Sequence, residues 1–172
     1  TRLGRWSRGL GDVYKRQGQE GEICIHGPNI TKGYMNNPLE TAAAIQNGWL
    51  RSGDLGYVDD RGYLFIVDRL KDMIITGGEN VYPREVEELL YTHPDVLECA
   101  VVGLPDKEYG ERVTAFIVSP EKGEPDPDNI RCFLKERLIG FKVPKAFVFV
   151  DDLPKNNAGK LLKRKIKEQY KP

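Results

Sequence analysis

Long hydrophobic runs are missing from this 172-residue chain. No apolar stretch approaches the roughly 20 residues needed to span a bilayer, so no transmembrane segment is expected. Cysteine and histidine are scarce. Cys24, Cys99 and Cys132 form no Cys-x-x-Cys motif and cannot all pair with one another. Each lies in an apolar or amphipathic pattern, the setting of a small buried thiol, and together they suit a reducing, cytoplasmic environment. His26 and His93 have no partner at metal-ligand spacing; both read as structural, and no metal site is expected. Net charge is also absent. Lys and Arg (26) balance Asp and Glu (26), so the whole chain offers nothing to draw nucleic acid or an anionic membrane. No internal repeat is present.

What remains is a globular composition, 40% hydrophobic and 30% charged, which excludes a largely disordered chain. At this length the chain holds one ordinary domain, or one small domain with a piece of another. Residues 1–17 carry Arg2, Arg5, Arg8, Lys15 and Arg16 with no sustained period and no secretory apolar core. They are expected to be a non-native or mis-assembled leader that packs poorly.

From Gly21 the pattern is regular. Gly21 to Gly27 alternates polar and apolar residues and reads as a strand, and Pro38 to Ile45 as a short helix with proline near its start. Tyr57-Val58 and Tyr63 to Val67 flank the turn Asp59-Asp60-Arg61-Gly62, a hairpin with glycine where positive φ is needed. Beyond residue 72 the pattern changes. Pro83 to Tyr91 is amphipathic, with Val86, Leu89 and Leu90 on one face. Val96 to Leu104 and Val113 to Val118 read as strands, Asp126-Pro127 opens a helix with Ile130, Phe133, Leu134 and Leu138 as its buried stripe, and Ala146 to Val150 is a further strand. A basic helix from about Leu161 closes the chain. Strands interleaved with helices predict an α+β fold: a small C-terminal domain with an antiparallel sheet flanked by helices, preceded by a β-rich unit.

The most informative stretch is Asp68-Arg69-Leu70-Lys71-Asp72, running into Met73-Ile74-Ile75-Thr76-Gly77-Gly78-Glu79-Asn80. Charged residues between two apolar runs, Leu64 to Val67 and Met73 to Ile75, that each read as a buried strand predict a surface crossing between two packed units. The paired glycines suit a sharp turn or close approach to a ligand. Upstream lies Ser52-Gly53-Asp54; downstream, Asn156-Asn157-Ala158-Gly159-Lys160 places a small, exposed loop beside a lysine.

These pieces, in order with Gly33-Tyr34, Asn37-Pro38, Gly48-Trp49-Leu50-Arg51 and Glu85-Val86-Glu87, resemble the C-terminal portion of the adenylate-forming (AMP-binding) acyl-CoA synthetases. The resemblance covers about residues 18–170, and the spelling Gly78-Glu79-Asn80-Val81-Tyr82-Pro83 points toward the fatty and aromatic acyl-CoA ligases. It implies an ATP-dependent acid–CoA ligase reaction through an acyl-adenylate. By resemblance Asp54 binds the ribose hydroxyls of ATP or the adenylate, Arg69 the ribose or phosphate, and Ile66 lines the nucleotide site or serves in the core. Lys71 becomes the hinge within 68–72. Gly77, Gly78 and Glu79 edge a coenzyme A tunnel, with Tyr109 touching the CoA nucleotide. Lys160 is the catalytic lysine of adenylation, carried on a mobile loop. Lys163, Arg164, Lys165 and Lys167 are a solvated face or a weak attraction for CoA phosphates; no aromatics interleave with them for nucleic acid.

The resemblance also implies what else is needed: a carboxylic acid substrate, ATP/AMP, CoA, and Mg2+ bound through ATP and a larger N-terminal domain of the same enzyme. That domain's phosphate loop and acyl pocket are not found here. Residues 18–67 are then the last lobe of the large domain, incomplete, and 73–172 the whole small domain, with negligible ligase activity expected of the chain by itself. The competing expectation is a stand-alone, non-catalytic module that binds a nucleotide or a protein. A first unit exposing a wide apolar face favours the former; a well-packed one favours the latter.

Overall fold

Two sheets, antiparallel but for one pairing, account for the strands. The computed structural model describes residues 18–120 and 125–170, so the leader expected over residues 1–17 lies outside the described residues. The chain divides into two compact units between Lys71 and Asp72.

In the first unit, β1 (Gly21–Ile25), α1 (Pro38–Ala44), β2 (Ile45–Gln46), β3 (Trp49–Val58) and β4 (Leu64–Arg69) follow in order. The long β3 pairs antiparallel with β1, β2 and β4. Pro38 opens α1, and the side chain of Asn37 accepts the Glu40 N–H, a local cap that sets where the helix starts. Gly62 takes φ +85° in the β3–β4 turn, as the sequence predicts. On β1, beside β3, the buried Glu22 accepts from the Arg51 guanidinium at 2.6 Å and from the Gly53 N–H at 3.2 Å. This pair holds the Arg51 guanidinium above its usual pKa through the hydrogen bond and the field of Glu22.

The second unit contains β5 (Ile74–Thr76), β6 (Glu79–Val81), α2 (Pro83–Leu90), β7 (Glu98–Asp106), β8 (Gly110–Val118), α3 (Pro127–Lys135), β9 (Ala146–Phe149) and α4 (Lys163–Gln169). The sheet runs β6-β5-β8-β7, with β9 also on β8. All pairings are antiparallel except β8–β9, which is parallel. β7 and β8 are apolar almost throughout because both faces are covered. Val101, Ala115 and Ile117 pack with Val86 and Leu90 of α2 and with Ile130 and Leu134 of α3. The alternate residues Ala100, Val102 and Phe116 pack with Leu153 and with Ile166 of α4. His93 is buried, accepts the Asp95 N–H through Nδ1, and meets Phe133 edge to face; it is structural, as read.

Three expectations are corrected. The run Leu64 to Val67 is a strand but not a buried one: Phe65 is 41% and Ile66 55% exposed, and among the described residues β4 pairs with β3 alone. Asp68, expected on the surface, is 8% exposed and accepts the Arg69 N–H at 2.7 Å; a local hydrogen bond satisfies a carboxylate that would otherwise be costly to bury. Cys24 and Cys99 are buried, but Cys132 is exposed. It lies midway between Ile130 and Leu134 on α3, and a helix turns a residue two positions from its buried ones toward solvent.

Candidate active-site elements

The first unit brings two of the predicted nucleotide contacts together. Asp54 of β3 and Arg69 of β4 are register partners, and cross-strand partners present their side chains side by side. Arg69 Nε lies 3.2 Å from Asp54 Oδ1, with both groups partly open to solvent. Local bonds hold the carboxylate's backbone: the Asp54 N–H donates to Ser52 Oγ at 3.0 Å, and the Leu70 N–H donates to the Gly53 carbonyl at 2.8 Å. Ile66 is on the same strand as Arg69 and is exposed in this chain. Lys71 is exposed and is the last residue of the first unit.

In the second unit, β5 and β6 form a hairpin whose two central residues are Gly77 (φ +57°) and Gly78 (φ +85°). Positive φ at both positions is the geometry that matches the right-handed twist of the paired strands, and glycine adopts it without a Cβ penalty. Nothing lies within 4 Å of where a Gly78 Cβ would be, so the turn is open on that side. Glu79 follows, exposed. The β7–β8 turn is brought against this one: the Gly77 N–H donates to the Tyr109 carbonyl at 2.9 Å. Gly77, Gly78, Glu79 and Tyr109 therefore form one cluster. Asp106 Oδ1 accepts the N–H groups of Glu108 and Tyr109, at 2.9 and 3.0 Å. Those bonds, the Tyr109 one first, hold its carboxyl below the usual range. Glu108, by hydrogen bond and field, raises the Tyr109 phenol. Lys145, absent from the residues expected at this site, has its ammonium 5.6 Å from the Tyr109 ring centre. No periodic signal marks it, since it sits in the irregular segment before β9.

Lys160 lies before α4 rather than on it. Its chain segment is a small hairpin in which the Asn156 N–H donates to the Lys160 carbonyl at 2.9 Å and Lys155 bridges Leu161. Gly159 takes φ +77°. The Lys160 side chain is exposed and makes no ion pair among the described residues. Its basic neighbours differ. Lys163 pairs with Glu87 of α2 at 2.7 Å, both side chains largely buried, and Lys167 lies 3.6 Å from Glu111. The solvated face expected of this helix is thus partly a packing face, because α4 crosses acidic side chains whose positions only the fold sets.

Residues 85–160 match the model of the AMP-binding enzyme C-terminal domain. The chain belongs to the C-terminal portion of the adenylate-forming, AMP-binding superfamily. Among adenylate-forming relatives, the long-chain-fatty-acid–CoA ligase of Bacillus subtilis (strain 168) is 48% identical over 151 residues, 88% of this chain and 27% of that protein. The feruloyl-CoA synthase of an Amycolatopsis species is 47% identical over 153 residues, 89% of this chain and 31% of that protein. A solved structure of o-succinylbenzoate CoA synthetase from Bacillus subtilis, in complex with its acyl-adenylate intermediate, superposes with a TM-score of 0.87 at 40% identity, covering 95% of this chain and 33% of that one. The chain thus spans under a third of the adenylate-forming relatives named here in the curated set. Among the described residues no helix is long and apolar enough to cross a membrane.

Proposed function

We propose that this chain supplies the hinge, the adenylation lysine and the CoA-side loop of an ATP-dependent acid–CoA ligase. A substrate carboxylate oxygen attacks the α-phosphorus of ATP; the bond to the β-phosphate oxygen breaks and pyrophosphate leaves. The CoA sulfur, having given its proton to solvent, then attacks the acyl carbon, and AMP leaves with the carboxylate oxygen's electron pair.

The observation that carries this reading is the presentation of Lys160: an exposed ammonium, with no ion pair among the described residues, on the residue that closes a hydrogen-bonded turn, while Lys155, Lys163, Arg164 and Lys167 around it are paired with carboxylates. As the acid attacks phosphorus, charge gathers on the phosphoryl oxygens, and an ammonium set there stabilises that charge more than the ground state. Asp54 takes the ribose, since two carboxylate oxygens match the two donors of a cis-diol. Arg69, already against Asp54, stays charged and reaches ribose or phosphate. Ile66 lines the base side. Lys71 is the pivot, where a change in a few backbone dihedrals turns one unit against the other. The Gly77-Gly78-Glu79 turn and Tyr109 edge the thiol arm's path, with Lys145 beside them. Magnesium would enter on the triphosphate and screen its charge; no group of three or more ligating side chains gathers among the described residues, so none is assigned to it.

What favours the incomplete-domain reading over a stand-alone module is the first unit itself. It buries only Ile23, Cys24 and Leu55 among its described hydrophobics, while Met35 is 91% and Leu39 83% exposed. Such a surface fits a larger neighbour supplied by the same enzyme.

The test joins this chain to the N-terminal region of a relative and measures the two half-reactions separately. Lys160→Ala is expected to lower pyrophosphate-coupled adenylation about 100- to 1,000-fold, with CoA transfer from preformed acyl-adenylate little changed. Unaltered adenylation would end the assignment.

A further inference from the structure

The loop carrying Lys160 is small and exposed, yet it is pre-folded. Asn156 Oδ1 accepts two backbone N–H groups, from Ala158 at 3.0 Å and from Lys160 itself at 2.9 Å. The Gly159 N–H donates to the Asn156 carbonyl at 2.9 Å. A single side-chain oxygen thus fixes the direction in which residue 160 leaves the turn. Both ends of the segment are anchored. On the near side Lys155 pairs with Glu98 at the start of β7, at 2.6 Å, and Glu98 with its hydrogen bond raises the Lys155 ammonium. On the far side Lys163 pairs with Glu87 at 2.7 Å, and Glu87 Oε1 also accepts the Val101 N–H of β7 at 2.7 Å. Both anchors lead to β7, the best-buried strand pair's outer member.

We infer that Asn156 is a positioning residue for Lys160: it holds the lysine backbone in one conformation, so that the ammonium arrives at the reacting phosphate already oriented. The inference rests on the adenylation reading of Lys160. It replaces a mobile tip with a rigid one carried by its domain. The physical gain is entropic. A turn ordered during folding does not have to be ordered in each catalytic cycle, and misplacement of a reacting group by about 1 Å can cost on the order of 100-fold.

Two readouts separate this inference from the reading beneath it. In the 172-residue chain, NMR relaxation reports the backbone order at residue 160. The parent is expected near the rigid value of about 0.85, and Asn156→Ala below about 0.6. Asn156→Asp, which keeps the accepting oxygen, is expected to stay rigid, and amides of β7 and β8 are expected to be unmoved in both variants. In the joined enzyme, Asn156→Ala is expected to slow adenylation about 10- to 100-fold while leaving CoA transfer from preformed acyl-adenylate unchanged, and Asn156→Ser to recover part of the loss. Unchanged order at residue 160 in Asn156→Ala overturns the inference, as does an equal loss in both half-reactions. Lys160→Ala in the same enzyme isolates the other failure: if it leaves adenylation intact, the adenylation reading falls whatever the order parameters are.

Discussion

At Gly78 the backbone asks for a conformation that only glycine takes freely. Its φ is +85°, and no atom lies within 4 Å of an added Cβ, so the cost of Gly78→Ala is backbone strain alone, about 1 kcal/mol. A lower denaturation midpoint with an unchanged slope would register it. Thiol chemistry is equally local. Burial, reinforced by Glu87, pushes the Cys99 thiol up to about 12, and a thiol that stays protonated is a poor nucleophile. Cys132 is the exposed cysteine. Brief alkylation at neutral pH should label Cys132 and spare Cys24 and Cys99, as read by peptide mass spectrometry. Asp106 adds a pH dependence. Its carboxyl is held low by the Tyr109 and Glu108 N–H groups, so its contribution is complete above the ordinary carboxylate pKa of about 4 and fades as pH falls through the lower folded value. The Tyr109 amide should lose protection on acid titration, and in Asp106→Ala at neutral pH too. At this scale the sequence was legible where a residue's chemistry is self-contained, as with the Gly77-Gly78 turn. It was misleading where burial is decided elsewhere, as with Asp68 and Cys132.

Elements show how local pattern and long-range pairing divide the work. Proline and a capping side chain open α1 and α3, and these starts were readable because their partners lie within three residues. The two-sided burial of β7 and β8 was not, since continuous apolar runs do not say which face meets which helix. Glu87 illustrates the difference. The amphipathic pattern of α2 marks only the face of Val86, Leu89 and Leu90, whereas Glu87 accepts the Val101 N–H and pairs with Lys163, tying α2, β7 and α4 together. Tyr91 adds a further contact with the backbone of Cys99. Such side chains also occupy strand groups that an open edge would leave available for wrong pairing. Glu87→Ala strips two donors of their partner in a mostly buried setting, and a loss of about 2 kcal/mol is expected in the unfolding free energy. Lys163→Met, which keeps the stem and drops the charge, should cost less. Equal stability of Glu87→Ala and the parent would show that water replaces the carboxylate at no cost.

Over the whole chain the buried hydrophobic side chains are unevenly shared. Among the described residues, Ile23, Cys24 and Leu55 belong to the first unit and the other buried hydrophobics to the second. Stability follows buried apolar area, so the two units are expected to open at different free energies. Hydrogen exchange on the intact chain should find β7 and β8 protected well beyond β1, β3 and β4. Joining the relative's N-terminal region should raise protection in the first unit selectively, if its open apolar side chains are a docking face. Uniform protection across both units in the isolated chain would argue for a self-sufficient first unit and thus for the stand-alone module.

The helices, most of the strands, the glycine turns and the family itself were set by the sequence alone, because each depends on neighbours close in the chain or on an ordered string of short motifs; β2, β6 and the start of β3 carry no such local signal. Tertiary structure decided the rest. It paired Asp54 with Arg69, brought Tyr109 against Gly77, and turned Glu87 and Lys163 into an anchor for the Lys160 turn. Those contacts join residues far apart in sequence, and their geometry exists only once strand register and helix packing have placed both partners.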